Sequence, residues 1–517
     1  QSQNEVRLIK DFGPGAENGL SDEAQIIGTV GNSILISDKG NFISSNGTEP
    51  GTVILGDLGI GGRAFQSKAT LNDNLYLILE NNDDDYQLIE FDPISNQLNN
   101  ILSGYEDISN LIAYNGKLYF SAEVANQDDA FLSLDPLSGT IETIFELNSF
   151  GGMRDVAIHN DLLYSIHWSA DQAGAYLASS DGTPGNVNEF YFFYDGSDFS
   201  QTSTINMTSA GENLFMWYNN GSDDYTLFVS DGTTAGTLEL SDSFEKINFF
   251  DFDANRGIGV LGNKIFFRGE VAGNSEENLW VSDGTIAGTM PILIDNTLEI
   301  QPRFFTTFND KMYFHGAHTD GSFGAITGAM VSDGTVSGTK RLLQGGSHSE
   351  DFNGDGWHII SHQERLFFAA RNNLHDQELY SSDGTLSATV RLSTIGAAND
   401  FSSVYNLRSV GENLFFIGNS TEFGRELYLY GPGTSSTSNL SVNEINIFPN
   451  PVGDRLNLNN ELYDIDQIEI YNYEGKLTKT FLNPSNTSMD VNDLLKGSYL
   501  IKIIHGQGIS TSKFVKL

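Results

Sequence analysis

The chain is 517 residues long and carries 68 acidic against 27 basic side chains, a formal net charge of −41. A surface that negative repels nucleic acid and anionic lipid, which sets aside DNA, RNA and membrane-surface binding as main roles, and it keeps a β-rich chain soluble. There is no cysteine, so disulfides, thiolate metal sites and cysteine nucleophiles are excluded, and no apolar run is long enough to cross a bilayer.

The chain opens on Gln1-Ser2-Gln3, which for an exported protein places the numbering after a cleaved signal peptide. Val6–Phe12 (VRLIKDF) reads as a single strand. From Ser33 to Tyr430 a unit recurs nine times: a polar turn, an aromatic strand such as Gly116–Phe120 (GKLYF) or Asn263–Phe267 (NKIFF), a loop, a second strand, a turn and an outgoing strand. The turn carries the sharper signature: Ser45–Thr52 (SNGTEPGT), Ser180–Asn186 (SDGTPGN), Ser230–Thr237 (SDGTTAGT), Ser282–Thr289 (SDGTIAGT), Ser332–Thr339 (SDGTVSGT) and Ser382–Thr389 (SDGTLSAT). Its glycines at 182, 232, 284, 334 and 384 step by 50, 52, 50 and 50 residues, and Phe91-Asp92-Pro93 and Leu134-Asp135-Pro136 hold the same place in degenerate copies. Asp-Gly suggests a tight hairpin, because glycine accepts a positive φ and the aspartate caps the turn.

Several strands every fifty residues, without helical periodicity, predict propeller blades. The last unit, Asn413–Tyr430, lacks its outgoing strand, and Val6–Phe12 resembles the missing piece. Pairing the two would remove the open edges and close eight or nine blades. Asn278–Thr285 (NLWVSDGT) and Glu378–Thr385 (ELYSSDGT) resemble the ELWxxDGT-repeat family of surface proteins in gliding and related bacteria. The resemblance spans residues 1–430 and implies an extracellular propeller-like module without specifying its ligand.

Candidate chemistry in this body is sparse. The repeated Asp181, Asp231, Asp283, Asp333 and Asp383 read as turn-formers rather than as a ring of cation ligands, since each repeat has one. Asp351–Trp357 (DFNGDGW) offers Asp351, Asn353 and Asp355 as alternating oxygen ligands, the first half of a calcium loop, but His362 stands where the closing acid belongs. His315 and His318, and His348, His358 and His362, read as loop residues and not as a zinc set. The runs Asp83-Asp84-Asp85 and Asp223-Asp224 read as solvated loop tips. There is no nucleophile elbow, phosphate loop or metalloprotease helix, and glycoside-hydrolase carboxylate pairs stay open.

Residues 431–444 (GPGTSSTSNLSVNE) read as a flexible linker. Residues 445–517 then give seven short strands, several alternating apolar and polar, which predicts a small β-sandwich. Phe448-Pro449-Asn450-Pro451, Ile470–Gly475 (IYNYEG), Leu495–Tyr499 (LKGSY) and Ser512–Leu517 (SKFVKL) follow one another in the order of the type A C-terminal sorting domain of the Bacteroidota type 9 secretion system, which this segment resembles. The resemblance implies sorting-signal roles for Phe448, Pro449, Asn450, Pro451, Gly475, Gly497, Tyr499, Lys513, Phe514 and Lys516. It also implies passage through the periplasm, recognition by the outer-membrane translocon and a barrel shuttle protein, and then a surface sortase that joins the cargo to lipopolysaccharide. A last edge strand with free backbone groups could dock by strand addition or pack its face on a partner. A generic carbohydrate-binding-like sandwich is the other reading of the segment.

The sequence therefore predicts an all-β chain: an eight- or nine-bladed propeller over 1–430, a linker, and a sorting domain. The expected role is a secreted or surface-held, non-catalytic module that binds an extracellular glycan or protein in adhesion or gliding. Calcium is the one cofactor in view. A glycan-active enzyme and a structural surface subunit are the alternatives.

Overall fold

The computed structural model describes all residues except 1–3, 14–17, 58–64, 81–85, 103–104, 125–128, 148–151, 170–173, 195–203, 220–224, 241–245, 248–256, 272–273, 295–299, 320–324, 343–358, 372–376, 396–403, 433–446, 459–464, 473–475, 483–487 and 506–507. Among the described residues there are 44 strands and no α-helix. The chain divides into two compact units, one of Glu5–Gly431 and one that includes Pro432–Leu517.

Among the described residues the larger unit contains nine sheets. Eight are consecutive in sequence, spanning 25–57, 65–102, 105–146, 153–194, 204–239, 246–292, 303–341 and 360–391. The ninth combines Val404–Val410, Asn413–Ser420 and Gly424–Pro432 with Asn4–Lys10, which adds outside Gly424–Pro432. The strand that the sequence finds missing from the last unit is thus supplied by the chain start.

Aromatic residues mark the second strand of eight of the nine sheets, the exception being Ser33–Asp38 (SILISD), because that strand is buried on both faces. In Lys117–Val124, Leu118 and Phe120 pack with Tyr76, Ile78 and Leu88 of the preceding sheet. Tyr119, on the opposite face, packs with Met153 and Leu163 of the next. The same sharing repeats from sheet to sheet. One apolar cluster joins the eighth sheet to the ninth (Phe367 and Leu379 with Leu414 and Phe416), and another joins the ninth to the first (Phe415, Ile417 and Leu427 with Ile26, Ile34 and Ile36). Every sheet therefore packs on two others.

The tight turn lies elsewhere than the Asp-Gly dipeptide suggests. The two-residue hairpins join the first and second strands: Asn72-Asp73, Asn160-Asp161, Asn309-Asp310 and Gln363-Glu364 all have both φ angles between 44° and 61°, the type I′ pattern that fits strand twist. The Asp-Gly-Thr segment is a longer loop, running from Ser230, where one strand ends, to Leu238, where the next begins. Short polar bonds hold it. Asp231 Oδ1 accepts from the Thr233 amide (2.9 Å) and hydroxyl (2.7 Å), Gly236 N donates to Thr233 Oγ1 (3.0 Å), and the Ser230 and Thr237 hydroxyls meet at 2.8 Å across the loop mouth. The loop at Asp283 repeats each of these contacts, as does that at Asp333. In the first copy Asn46 replaces the aspartate, and its Oδ1 accepts from the Thr48 amide and hydroxyl at 3.1 and 2.8 Å. The loop needs an acceptor, not a charge. Asp231→Asn is expected to change unfolding free energy by less than about 0.5 kcal/mol and Asp231→Ala to cost about 1 kcal/mol, read by denaturant titration.

The two repeat signatures meet across the sheet interfaces. The loop glycine of one sheet rests against the second-strand aromatic of the sheet before it: Gly182 against Tyr119, Gly232 against Tyr164, Gly384 against Tyr313. A Cβ on Gly232, whose φ is +90°, would lie 2.4 Å from Tyr164 Oη. Gly47 of the first sheet meets Phe415 of the ninth in the same way.

Glu378 and Glu426 hold corresponding places on the third strands of the eighth and ninth sheets, and both are fully buried. Glu378 binds Arg391 Nη2 (2.8 Å), the Ser393 hydroxyl and Ile395 N (3.2 Å), the segment that leaves the outgoing strand. Glu426 accepts from the amides of Phe12 (3.1 Å), Gly13 (3.1 Å) and Gly19 (3.0 Å), which follow the strand Asn4–Lys10. The glutamate of the repeat signature thus grips the chain as it departs for the next sheet.

Among its described residues the smaller unit has seven strands in two sheets. Ile447–Phe448, Arg455–Leu458 and Ser488–Asp490 form one. The other is ordered Leu477–Leu482, Ile465–Asn472, Gly497–His505, Gly508–Lys516. A single apolar cluster draws Val452, Leu456 and Met489 from the first side and Ile468, Ile501 and Phe514 from the second.

Candidate functional site

The sharpest site lies in the smaller unit, where its two ends come together. Phe448-Pro449 and Asn450-Pro451 are cis peptides, and the segment runs beside the free edge of the last strand, Gly508–Lys516. There the Asn450 carboxamide behaves as a surrogate peptide group. Its Oδ1 accepts from Val515 N at 3.0 Å and its Nδ2 donates to Lys513 O at 3.0 Å. Backbone takes over two residues later: Val452 N donates to Val515 O (2.7 Å) and Leu517 N donates to Val452 O (2.9 Å). Val452 is buried and anchors the clip in the core. The C-terminal half of the last edge is therefore paired, and the expectation of free backbone groups there is corrected.

The remaining motif residues sort by direction. Tyr499 and Phe514 point inward and stack, with ring centroids 5.4 Å apart and 17° between planes, and Tyr499 Oη donates to Leu495 O at 2.8 Å. Lys516 is buried and its Nζ reaches Leu517 O at 3.3 Å. Gly497 opens the strand Gly497–His505. Phe448, Pro449, Asn450, Pro451 and Lys513 are exposed. Gly475 lies outside the described residues.

Beside the clip is a groove of about 820 Å³ over the outer face of the four-stranded sheet. Tyr471, Leu500 and Val515 supply its apolar floor, and Lys502 and Lys513 its charge. Glu469 orders one side: it accepts from Tyr471 Oη (2.8 Å) and pairs with Lys502 (3.1 Å), which together hold its carboxyl below the ordinary range. Leu500, Tyr471 and Val515 are functional candidates that motif reading misses. A signal was there: in Tyr499–Ile504 (YLIKII) the inward set is Tyr499, Ile501 and Ile503, so Leu500 is an apolar residue on the face that should be polar.

These geometries accompany a direct match. Residues 446–517 fit the family described as the secretion system C-terminal sorting domain. The smaller unit carries a sorting domain. No curated protein matches the chain. Outside the sorting domain's family, the chain has slight likeness to solved propeller-containing structures. The β-propeller domain of the Trilobed protease from Pyrococcus furiosus aligns at 15% identity over 65% of this chain and 98% of its own, with a TM-score of 0.34. A Mycobacterium tuberculosis puromycin-hydrolyzing peptidase aligns at 10% identity over 71% of this chain and 61% of its own, TM-score 0.39. The tricorn protease aligns at 11% identity over 96% and 46%, TM-score 0.32. Similarities this slight carry no inference about activity.

Other candidates in the larger unit fall differently from their sequence reading. Asp351, Asn353 and Asp355 lie outside the described residues, as do His348, His358 and both acidic runs. His315 and His362 are buried strand residues, not loop residues. Burial, with Arg303 adding repulsion, pushes His315 down to about 3, so it stays neutral. His362 Nδ1 meets Ser409 Oγ at 2.8 Å in the ninth sheet, the same contact His159 makes with Ser209 one sheet on. His362 and His159 thus each tie one sheet to the next. Among the described residues no group of three or more His, Cys, Asp or Glu is placed to hold a metal.

Proposed function

We infer that the chain is cargo of the type 9 secretion system, with a nine-bladed propeller as passenger and residues 446–517 as the address. The match of those residues to the sorting-domain family carries the reading. The nine sheets, each packed on two others, support a passenger that folds as one body. In this reading the domain is taken up by the outer-membrane translocon and its barrel shuttle. A surface sortase then joins the passenger to lipopolysaccharide, or the chain is released outside the cell.

Deleting residues 446–517 is expected to leave the passenger folded and held inside the envelope, measured by immunoblot of medium, surface and periplasmic fractions. Undiminished appearance outside the cell sinks the reading. For the passenger itself we propose a non-catalytic module for an extracellular glycan or protein, acting in adhesion. New reducing ends released from a polysaccharide panel would replace that by a glycan-active enzyme.

A further inference from the structure

We propose that the export machinery grips the sorting domain by the face over Leu500 and Val515, and not by adding a strand to the last edge. This rests on the sorting reading above and names the surface it uses.

Three observations carry it. First, the clip already fills the C-terminal half of that edge, the half beside the groove: Asn450 occupies Lys513 O and Val515 N, and Val452 occupies Val515 O and Leu517 N. Strand addition there would have to break four backbone-directed bonds, each worth roughly 1 kcal/mol net. Second, the same end of the domain leaves large apolar side chains in water. Leu500 is 38% exposed, Val515 42%, Phe448 51% and Leu517 61%. Single exposed apolar residues are ordinary, but here Leu500 and Val515 line one groove. Third, in a chain of net charge −41 the groove carries lysines beside its apolar floor: Lys502, whose charge is matched by Glu469, and Lys513, which is exposed. The face therefore suits a protein surface with an apolar centre ringed by carboxylates. Asn450 acts as a positioning residue, fixing the strand that presents Lys513 and Val515.

The test uses the full chain exported by cells that carry the machinery. Lys513→Glu combined with Val515→Asp changes only exposed side chains, and is expected to lower the amount outside the cell at least about tenfold, as loss of a central apolar contact and reversal of a flanking charge would. Arg455→Glu, an equally drastic charge change at an exposed residue of the three-stranded sheet that does not line the groove, is expected to be exported normally. Normal export of the double variant, while deletion of 446–517 blocks export, overturns the face and leaves the sorting reading standing. Normal export of the deletion overturns both. Asn450→Ala removes both the acceptor for Val515 N and the donor to Lys513 O. It is expected to speed hydrogen exchange at the Val515 amide and to reduce export, whereas faster exchange with full export would remove the positioning role. Sedimentation of the purified chain closes the remaining route: self-association abolished by Val515→Asp, with export unchanged, would assign the face to a second copy instead.

Discussion

Replacing Glu426 by alanine is expected to lower the unfolding free energy of the larger unit by about 3–5 kcal/mol and to loosen the chain start before anything else. The substitution leaves the amides of Phe12, Gly13 and Gly19 without their acceptor, and each orphaned buried donor costs roughly 1–3 kcal/mol, with water recovering part. Hydrogen exchange should show the strand Asn4–Lys10 losing protection at once, while sheets such as 105–146 keep theirs. A uniform loss across all nine sheets would show instead that Glu426 has no special tie to the ninth. The same carboxylate has a pH signature. Burial pushes it up to about 7 against three amides that pull it down. Asp155, which accepts from Val156 N (2.8 Å) and Met207 N (2.6 Å), is likewise pushed up by burial to about 7. For a carboxyl raised in the folded state the unfolded chain gives up its proton first. Stability from these groups is therefore full below about pH 4 and is lost as pH rises through 7. Glu426→Gln, which keeps an acceptor without a proton to lose, should flatten part of that slope between pH 5 and 8. An unchanged slope would remove Glu426 from the pH response.

Gly232→Ala is the second large effect. It forces an L side chain to φ +90° and sets its Cβ 2.4 Å from Tyr164 Oη. A left-handed non-glycine residue costs about 1–3 kcal/mol and overpacking a further 1–3 kcal/mol. A total of about 2–6 kcal/mol is expected in chemical denaturation. The two parts separate in a double-mutant cycle: Tyr164→Phe removes the clashing hydroxyl and should restore only the packing share. Full restoration would mean that the backbone is indifferent to the extra carbon. No restoration would mean that the ring is not the obstacle.

Much of this fold was legible because one pattern is written many times. The fifty-residue spacing of the loop glycines located the sheets, and Val6–Phe12 was recognisable as a strand without a partner. The turn chemistry was misplaced for a specific reason. Asp-Gly is a strong hairpin signal in isolation, but here the glycine is required by the neighbouring Tyr164 and the aspartate by Thr233, so the dipeptide serves a longer loop. The tight turns use Asn-Asp and even Gln-Glu, at Gln363-Glu364, which no propensity singles out. The histidines were misread because sequence does not reveal which polar residue of an aromatic strand will find a hydroxyl on the next sheet, as His362 finds Ser409. In the smaller unit, motif residues showed which family to expect but not which way each one points. Tyr499 and Phe514 build the core while Lys513 faces out. The clip joining Asn450 to Val515 spans 65 residues and leaves no local trace.

The ninth sheet also sets a timetable. Its outermost strand, Asn4–Lys10, precedes the other eight sheets along the chain, and the strand it pairs with, Gly424–Pro432, follows them all. A growing polypeptide can assemble the eight intervening sheets as it emerges, since each is built from contiguous chain. The final one must wait until synthesis has passed residue 432. Joining ends so far apart is the entropically costly, slow step of such a topology, and until it happens both margins remain open to mispairing. Maturation of this passenger is therefore gated by its last strand, and the sorting domain, translated just after it, becomes available only when the body has everything it needs to finish folding.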